Sequence, residues 1–320
     1  MNELARRHFM QGLCAVASLG PLAGCASMKD ERFFENAKLP IGIQLYTLGE
    51  LITKDLDGAL AEVARIGYST VETAGYAGQT PATLRAAFDR AGLSCTSAHV
   101  GIRTGTTAEP GLLGDLDKLV ADIHVLGASH VVAPLFDAPA DLRLEPRPDE
   151  GVRHMARIAA AMTESHWKQL AARLNGFGAV MKRNGLGFGY HNHNIEFVPV
   201  GTSTGFDILL AETDPALVTF ELDIGWTAAA GLDPVAVFAK DPGRYTLAHL
   251  KDIQATTVAN LDFRMDPTEV GSGRLDWHRI LSAARAAGVR KFFVEQEAPF
   301  QFPRLEAAAR SHAFLSALEA

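Results

Sequence analysis

The chain has 320 residues, 48% of them hydrophobic and 21% charged, enough to bury the core of one large α/β domain or two smaller ones. A formal charge of −7 with no run of like charge excludes the electrostatic footprint of a nucleic-acid binder and leaves attraction to a membrane surface unsupported.

The N-terminus reads as a targeting segment rather than as part of the fold. Arg6-Arg7-His8-Phe9-Met10 opens a modestly apolar stretch that ends at Leu22-Ala23-Gly24-Cys25. A twin-arginine pair followed by a lipoprotein cleavage box predicts an export signal over 1–25 and a linker over 26–39. The apolar part is too short to span a bilayer. The expectation is therefore an exported, periplasmic protein, with a lipid anchor to the membrane through Cys25. Losing residues 1–24 removes Glu3, Arg6 and Arg7 and takes the charge from −7 to −8. Cys14 leaves with the signal, Cys25 carries lipid, and Cys95 stands alone, so no intramolecular disulfide is available. Twin-arginine export of folded proteins is also a hint of a loaded metal or cofactor.

From residue 40 short apolar runs alternate with amphipathic helical stretches. Pro40–Leu48 reads as strand one, Leu56–Ile66 as a helix closed by Gly67, Thr70–Thr73 as strand two and Pro81–Ala91 as a helix. Ser94–Val100 is strand three, Leu112–Leu126 a helix and His130–Phe136 strand four. Between Phe136 and Thr163 the rhythm breaks around Pro139, Pro146 and Pro148, with a short helix near Met155–Met162. Such a connection reads as a lid over 137–163. Thr163 caps a long helix that Gly185 closes, and Gly189–Phe197 supplies strand five. The unit then repeats. A helix over Phe206–Glu212 precedes strand six at Val218–Ile224, and one over Pro234–Phe238 precedes strand seven at Tyr245–Asp252. The helix Asp276–Ala287 precedes strand eight at Lys291–Glu297. Eight strands with intervening helices predict a single (β/α)8 TIM barrel over 40–320. A doubly wound sheet is disfavoured because no glycine-rich dinucleotide fingerprint follows strand one.

A barrel places its chemistry at the C-terminal ends of the strands. There the sequence carries polar residues in pairs spaced by two, so that each pair shares a face: His191 and His193, Glu221 and Asp223, His249 and Lys251, Glu295 and Glu297. Each has an ordinary alternative. Asp223 could cap the turn at Gly225, His249 could bond a carbonyl, and Glu295 could pair with Arg290 or Lys291. Their convergence on four neighbouring strands predicts one divalent metal, because buried acidic groups are costly unless paired or coordinated. The nitrogen and oxygen mix suits Mn2+, Zn2+, Co2+ or Fe2+ better than Ca2+.

These motifs resemble the xylose-isomerase-like sugar isomerases and epimerases. The resemblance rests on Gly-Ile-Gln-Leu-Tyr at 42–46, Ser-Ala-His-Val at 97–100, Tyr-His-Asn-His-Asn-Ile-Glu-Phe at 190–197, Glu-Leu-Asp-Ile-Gly-Trp at 221–226, His-Leu-Lys-Asp at 249–252, Gly-Ser-Gly-Arg-Leu-Asp-Trp at 271–277 and Val-Glu-Gln-Glu at 294–297. It implies metal ligands Asp223, His249 and Glu295, with Glu295 also catalytic. At the first ligand position His191 stands where the epimerases place a glutamate, so the opposed carboxylate pair of simple epimerisation is not evident. Glu196 or Glu72 is the candidate to restore a base, and Lys251 the candidate to steady an oxyanion. His99, His193, Glu72 and Trp226 are expected to bind substrate.

The expected reaction is proton removal beside the carbonyl of a sugar, by a metal-dependent isomerase or epimerase. A free or oxidised sugar or a glycoside is favoured over a phosphate ester, since sugar phosphates are scarce outside the cytoplasm and no basic phosphate cradle is evident. One alternative is a lyase that eliminates the aglycone of a 3-keto-glycoside. Another is a non-catalytic carbohydrate-binding lipoprotein, and an oligomer is left open. An apurinic endonuclease on the same barrel fails on charge and export.

Overall fold

A computed structural model of the chain describes residues 32–103, 111–142 and 144–319. The segment read as an export signal lies outside the described residues.

Eight strands form the barrel: β1 Ile41–Gln44, β2 Thr70–Ala74, β3 Ser94–His99, β4 His130–Ala133, β5 Gly187–His191, β6 Thr219–Asp223, β7 Tyr245–Leu250 and β8 Lys291–Val294. They pair in parallel around a closed circuit that runs β1 to β8 and returns to β1. This is the (β/α)8 TIM barrel that the alternation predicts. Helices between strands start at side-chain caps, among them Asp55, Thr80, Asp115, Thr163 and Asp276, each accepting from the backbone N–H three residues on. Left-handed glycines such as Gly92 and Gly127 close two of them.

Several strands end sooner than the apolar pattern suggests. Strand one stops at Gln44 and becomes a 3-10 turn over Leu45–Leu48, because the Gln44 side chain accepts from the Tyr46 N–H and turns the backbone out of the sheet. Strand five stops at His191, and Ile195–Phe197 forms another 3-10 turn. Strand eight stops at Val294, which leaves Glu295 and Glu297 on the loop beyond it. Past Val294 the Glu295 N–H still donates to the Leu250 carbonyl oxygen at 3.2 Å, and there the chain leaves the ladder.

The expected linker over 26–39 is corrected in its described part. Phe33–Ala37 is a short helix, and the rings of Phe33 and Phe34 pack edge-on against Phe292 near the start of β8, at 6.3 and 5.6 Å between centroids. Arg32 also bridges to Glu319. Two adjacent phenylalanines are too costly to leave in water, and here they become part of the core.

Side chains at alternate positions of each strand point into the barrel. Val132, Leu247 and Phe293 form a small apolar cluster of their own. One step toward the C-terminal ends, the same face of β7 presents His249, and the loop just past β8 presents Glu295.

Candidate active site

The register of the ladder assembles the site. His191 lies beside Glu221 on the next strand, and Asp223 lies beside His249. Four side chains from four strand ends, His191, Asp223, His249 and Glu295, offer ligand atoms that all lie within 4.8 Å of one another. Asp223 Oδ2 is 3.8 Å from His191 Nε2 and 3.7 Å from His249 Nδ1, and His249 Nδ1 is 3.0 Å from Glu295 Oε2. This is the quartet that the strand-end pattern singles out.

Asp223 performs two tasks with its two oxygens. Oδ1 accepts from the Trp226 N–H at 2.7 Å and caps the helix Ile224–Ala229. Oδ2 is buried and makes no aligned hydrogen bond, although the Lys251 ammonium is 3.1 Å away. The close approach of that helix to β7 needs Gly225, where a Cβ would sit 2.8 Å from the Lys251 carbonyl oxygen.

The residues fit a divalent cation. Five acidic side chains converge here, Glu72, Glu221, Asp223, Glu295 and Glu297, and the one lysine among them is Lys251. Burial pushes the Asp223 carboxyl up to about 6 in spite of Lys251. A buried carboxylate oxygen with no aligned donor, facing two imidazoles and a second carboxylate, is the setting that a cation relieves. The nitrogen and oxygen donors suit a transition metal.

Beneath the quartet lies a second acidic layer, built from Glu72 and Glu221. Each ligand histidine turns its other nitrogen onto this layer. His249 Nε2 is 2.7 Å from Glu72 Oε1, and His191 Nδ1 is 3.1 Å from Glu221 Oε2. His99 Nε2 stands between the two carboxylates at 3.1 and 2.7 Å, and the Gln44 amide donates to Glu72 at 2.8 Å. Burial alone would push the His99 imidazole down, but the two carboxylates outweigh it and hold it up to about 9. Burial and the neighbouring Glu72 push Glu221 up to about 7. His99, His191, Glu221 and His249 also form a compact set of ligand types. Their contacts of 2.7 to 3.2 Å are hydrogen-bond lengths, and His191 and His249 make them through the ring nitrogens opposite those nearest Asp223. The layer therefore fixes which nitrogen of each histidine is left for the quartet, as carboxylate partners of metal-bound histidines do. Both carboxylates sit at register shifts, after Val71 on β2 and after Phe220 on β6. Such bulges re-aim side chains.

Three of the roles expected from the sequence are corrected. Glu196 does not reach the cavity. Its Oε1 accepts from the Tyr190 hydroxyl and its Oε2 from the His193 N–H, both at 2.8 Å, so it braces the turn that carries His193. Burial pushes this carboxyl up to about 7. Lys251 is fully buried, with Asp223, Glu295 and Glu297 at 3.1, 2.8 and 2.6 Å. It is the counter-ion of three carboxylates and does not line the cavity, so no donor is left for a substrate oxyanion. Glu72 belongs to the deep layer and does not line the cavity either.

His99, His193 and Trp226 do line it, together with His191 and Glu295, in a cavity of about 840 Å3. His193 stands one turn beyond β5, with its ring 4.6 Å from Phe263 and 5.4 Å from Trp226. Burial holds its imidazole well below the usual histidine value, and its Nδ1 has no hydrogen-bond partner.

The expected lid over 137–163 contributes Val152 alone among the described residues. The mouth is walled instead by the loop after β7, through Thr256, Val258, Asn260, Phe263, Arg264 and their neighbours. A two-stranded ladder of Asp252–Ile253 with Pro267–Thr268 closes its neck, and the Asn194 amide donates to the carbonyl oxygen of Asn260 at 2.9 Å. The Gly-Ser-Gly segment that follows wraps Asp252, whose Oδ2 accepts from Gly271, Gly273 and Trp277 Nε1. A Cβ at Gly273 would lie 2.1 Å from Asp252 Oδ1. The signal for this wall was the long interval between strand seven and the Asp276 helix, which in a barrel must cross the mouth.

Residues 60–318 match the family described as xylose isomerase-like TIM barrel. The chain belongs to this family. Among relatives of the barrel, inosose dehydratase of Clostridium tetani (strain Massachusetts / E88) is 38% identical over 96 residues, 30% of this chain and 32% of that one. The match thus spans about a third of that relative's length. The rhizopine catabolism protein MocC of Rhizobium meliloti is 26% identical over 281 residues, 83% of this chain and 82% of that one. A sugar phosphate isomerase/epimerase from Parabacteroides distasonis ATCC 8503 superimposes with a TM-score of 0.68 at 25% identity, covering 86% of this chain and 97% of that one.

Proposed function

We propose that the protein is a metal-dependent enzyme that removes a proton beside the carbonyl of a non-phosphorylated keto-sugar or keto-polyol and expels the group on the next carbon. The observation that carries this reading is the quartet of His191, Asp223, His249 and Glu295, of which His191 and Glu295 line the cavity while Asp223 and His249 lie buried behind them, with Asp223 Oδ2 without an aligned donor. A divalent cation held by these four would supply positive charge to the carbonyl oxygen as the neighbouring carbon loses its proton.

The side chains around it divide the remaining work. Glu295 and Glu297 line the β8 side, and Glu295 is the candidate to accept the proton. His191 and His193 line the β5 side, where an epimerase would need a second carboxylate. A neutral imidazole such as His193 can hold a departing hydroxyl or alkoxyl group by donating a hydrogen bond to it. Imidazoles in place of a carboxylate at the end of β5, together with a relative named for a dehydration, support elimination over epimerisation. This reverses the order of the two readings suggested by the motifs alone.

The test is incubation of metal-loaded protein with keto-sugars, keto-polyols and 3-keto-glycosides in D2O, followed by NMR. Loss of water or aglycone supports elimination. Deuterium uptake without loss of a group means an isomerase or epimerase, and neither means a binding protein. Export and a lipid on Cys25 remain part of the proposal. Labelling with a fatty-acid analogue in the parent and its disappearance in Cys25→Ser would test them.

A further inference from the structure

The cavity of about 840 Å3 lies toward the upper end of the range that encloses drug-sized ligands, and a single sugar ring is far smaller. Its surface also changes character with depth. The floor is imidazole and carboxylate. The outer part carries the aromatic and aliphatic side chains Trp226, Phe263, Tyr46, Val152, Val258 and Met265, beside the polar Thr256, Asn260 and Asp266.

Two observations mark this outer part as a site rather than an accident of loops. Among the described residues six large hydrophobic side chains are exposed, and three of them, Tyr46, Val152 and Val258 at 55, 66 and 78%, line this one mouth. They come from three separate loops, and clustered exposed apolar side chains rimmed by polar groups mark binding surfaces. The aromatic wall is also held rigid. Trp226 donates its Nε1–H to Glu297 at 3.0 Å and carries the Lys251 ammonium over its ring at 5.4 Å. Phe263 packs its ring 5.3 Å from Trp226 and 4.6 Å from His193 while its backbone sits at φ 57°, which is costly for a bulky residue.

We infer that this outer wall is a subsite for an aromatic substituent, so that the substrate is an aryl glycoside of a keto-sugar rather than a bare monosaccharide. The inference rests on the reaction proposed above and names its leaving group. Aromatic rings in edge and tilted arrangements offer a planar ring both stacking and edge contacts, and the exposed guanidinium groups of Arg103 and Arg264 at the same rim can stack on it as well. With the sugar at the floor, the β8 carboxylate takes the hydrogen from the carbon next to the ketone. The electron pair left behind becomes the new C=C bond, the C–O bond to the aryl group breaks, and the departing aryloxide takes a proton from water and leaves as a phenol, the hydroxide so formed being neutralised by the proton held on the carboxylate. Nothing is oxidised or reduced.

The experiment separates the subsite from the reaction. Metal-loaded protein is titrated calorimetrically with phenyl glucoside, methyl glucoside and glucose, which lack the ketone and do not react. The phenyl probe should bind about tenfold more tightly than the methyl probe. Phe263→Ala and Val258→Ser, both on the surface loop, should each cut that advantage severalfold. Equal affinities in the parent, or an advantage unchanged in the variant or variants that fold, overturn the subsite. Phenyl preference without phenol release from a 3-keto-glycoside would keep the subsite and overturn the elimination. Release of methanol as readily as phenol, with equal affinities, would do the reverse.

Discussion

The two halves of the barrel do different work at the same mouth. Strands β5 to β8 end in His191, Asp223, His249 and Glu295, the groups that can grip a cation. Strands β1 to β3 bring Gln44, Glu72 and His99: Glu72 meets the His249 ring from below, Gln44 donates to Glu72, and His99 stands between Glu72 and Glu221. The contrast teaches that ligation and orientation are separable properties here. One half supplies the gripping atoms, and the other, with Glu221 from β6, sets the direction of the imidazole rings.

The largest effect should come from breaking the gripping half. Asp223→Ala or His249→Ala should abolish stoichiometric metal, read by elemental analysis after gel filtration, and unchanged content in both would refute the quartet. Substitution in the orienting layer should cost less. Glu221→Leu should weaken divalent-ion affinity about 10- to 100-fold while retaining one ion per chain at saturation, and Glu221→Gln, which keeps an acceptor, should recover part of the loss. A parent that takes up two ions per chain would show instead that the deep layer is itself a metal site.

The two loops offer a finer comparison. Replacing 257–264 by a short glycine linker should raise KM about tenfold or more with little loss of folding stability, since loop positions at a mouth confine substrate and add few core contacts. Shortening 145–151 should leave KM within about twofold, because Val152 is the residue of the former lid that reaches the cavity. Equal effects would restore the proline-rich segment as a lid.

The smallest effect concerns the metal-free protein and His99. Its imidazole is held up to about 9 against an ordinary 6.5, so its stabilising charge is fully present below 6.5 and is lost as pH rises toward 9. The Tm of the parent should fall across that window, and His99→Asn should flatten the fall. A parallel fall in both proteins would assign the pH dependence to other groups.

The gripping half was legible in the sequence because parallel strands convert a spacing of two into a shared face, and acids in an apolar run stand out. Glu221 was visible in the same pattern, yet its role was not. The bulge after Phe220 sets its depth, and no spacing rule reports a bulge. Glu196 misled for the opposite reason. Its proximity in sequence to His191 and His193 suggested a base, whereas its two oxygens are spent on Tyr190 and the His193 N–H. The loop after β7 lacks periodicity, and Phe33-Phe34 is too short a pattern to separate a linker from a helix.

The docking of Phe33 and Phe34 against Phe292 bears on where this protein can be cut. A recombinant chain started at residue 40, just before β1, would uncover the Phe292 ring near the start of β8 and remove Arg32, the bridge partner of Glu319. Such a chain should be sticky and poorly expressed even with its chemistry intact. Cloning boundaries for this barrel belong upstream of Arg32, and a truncated preparation that aggregates would say nothing about the site at the other end.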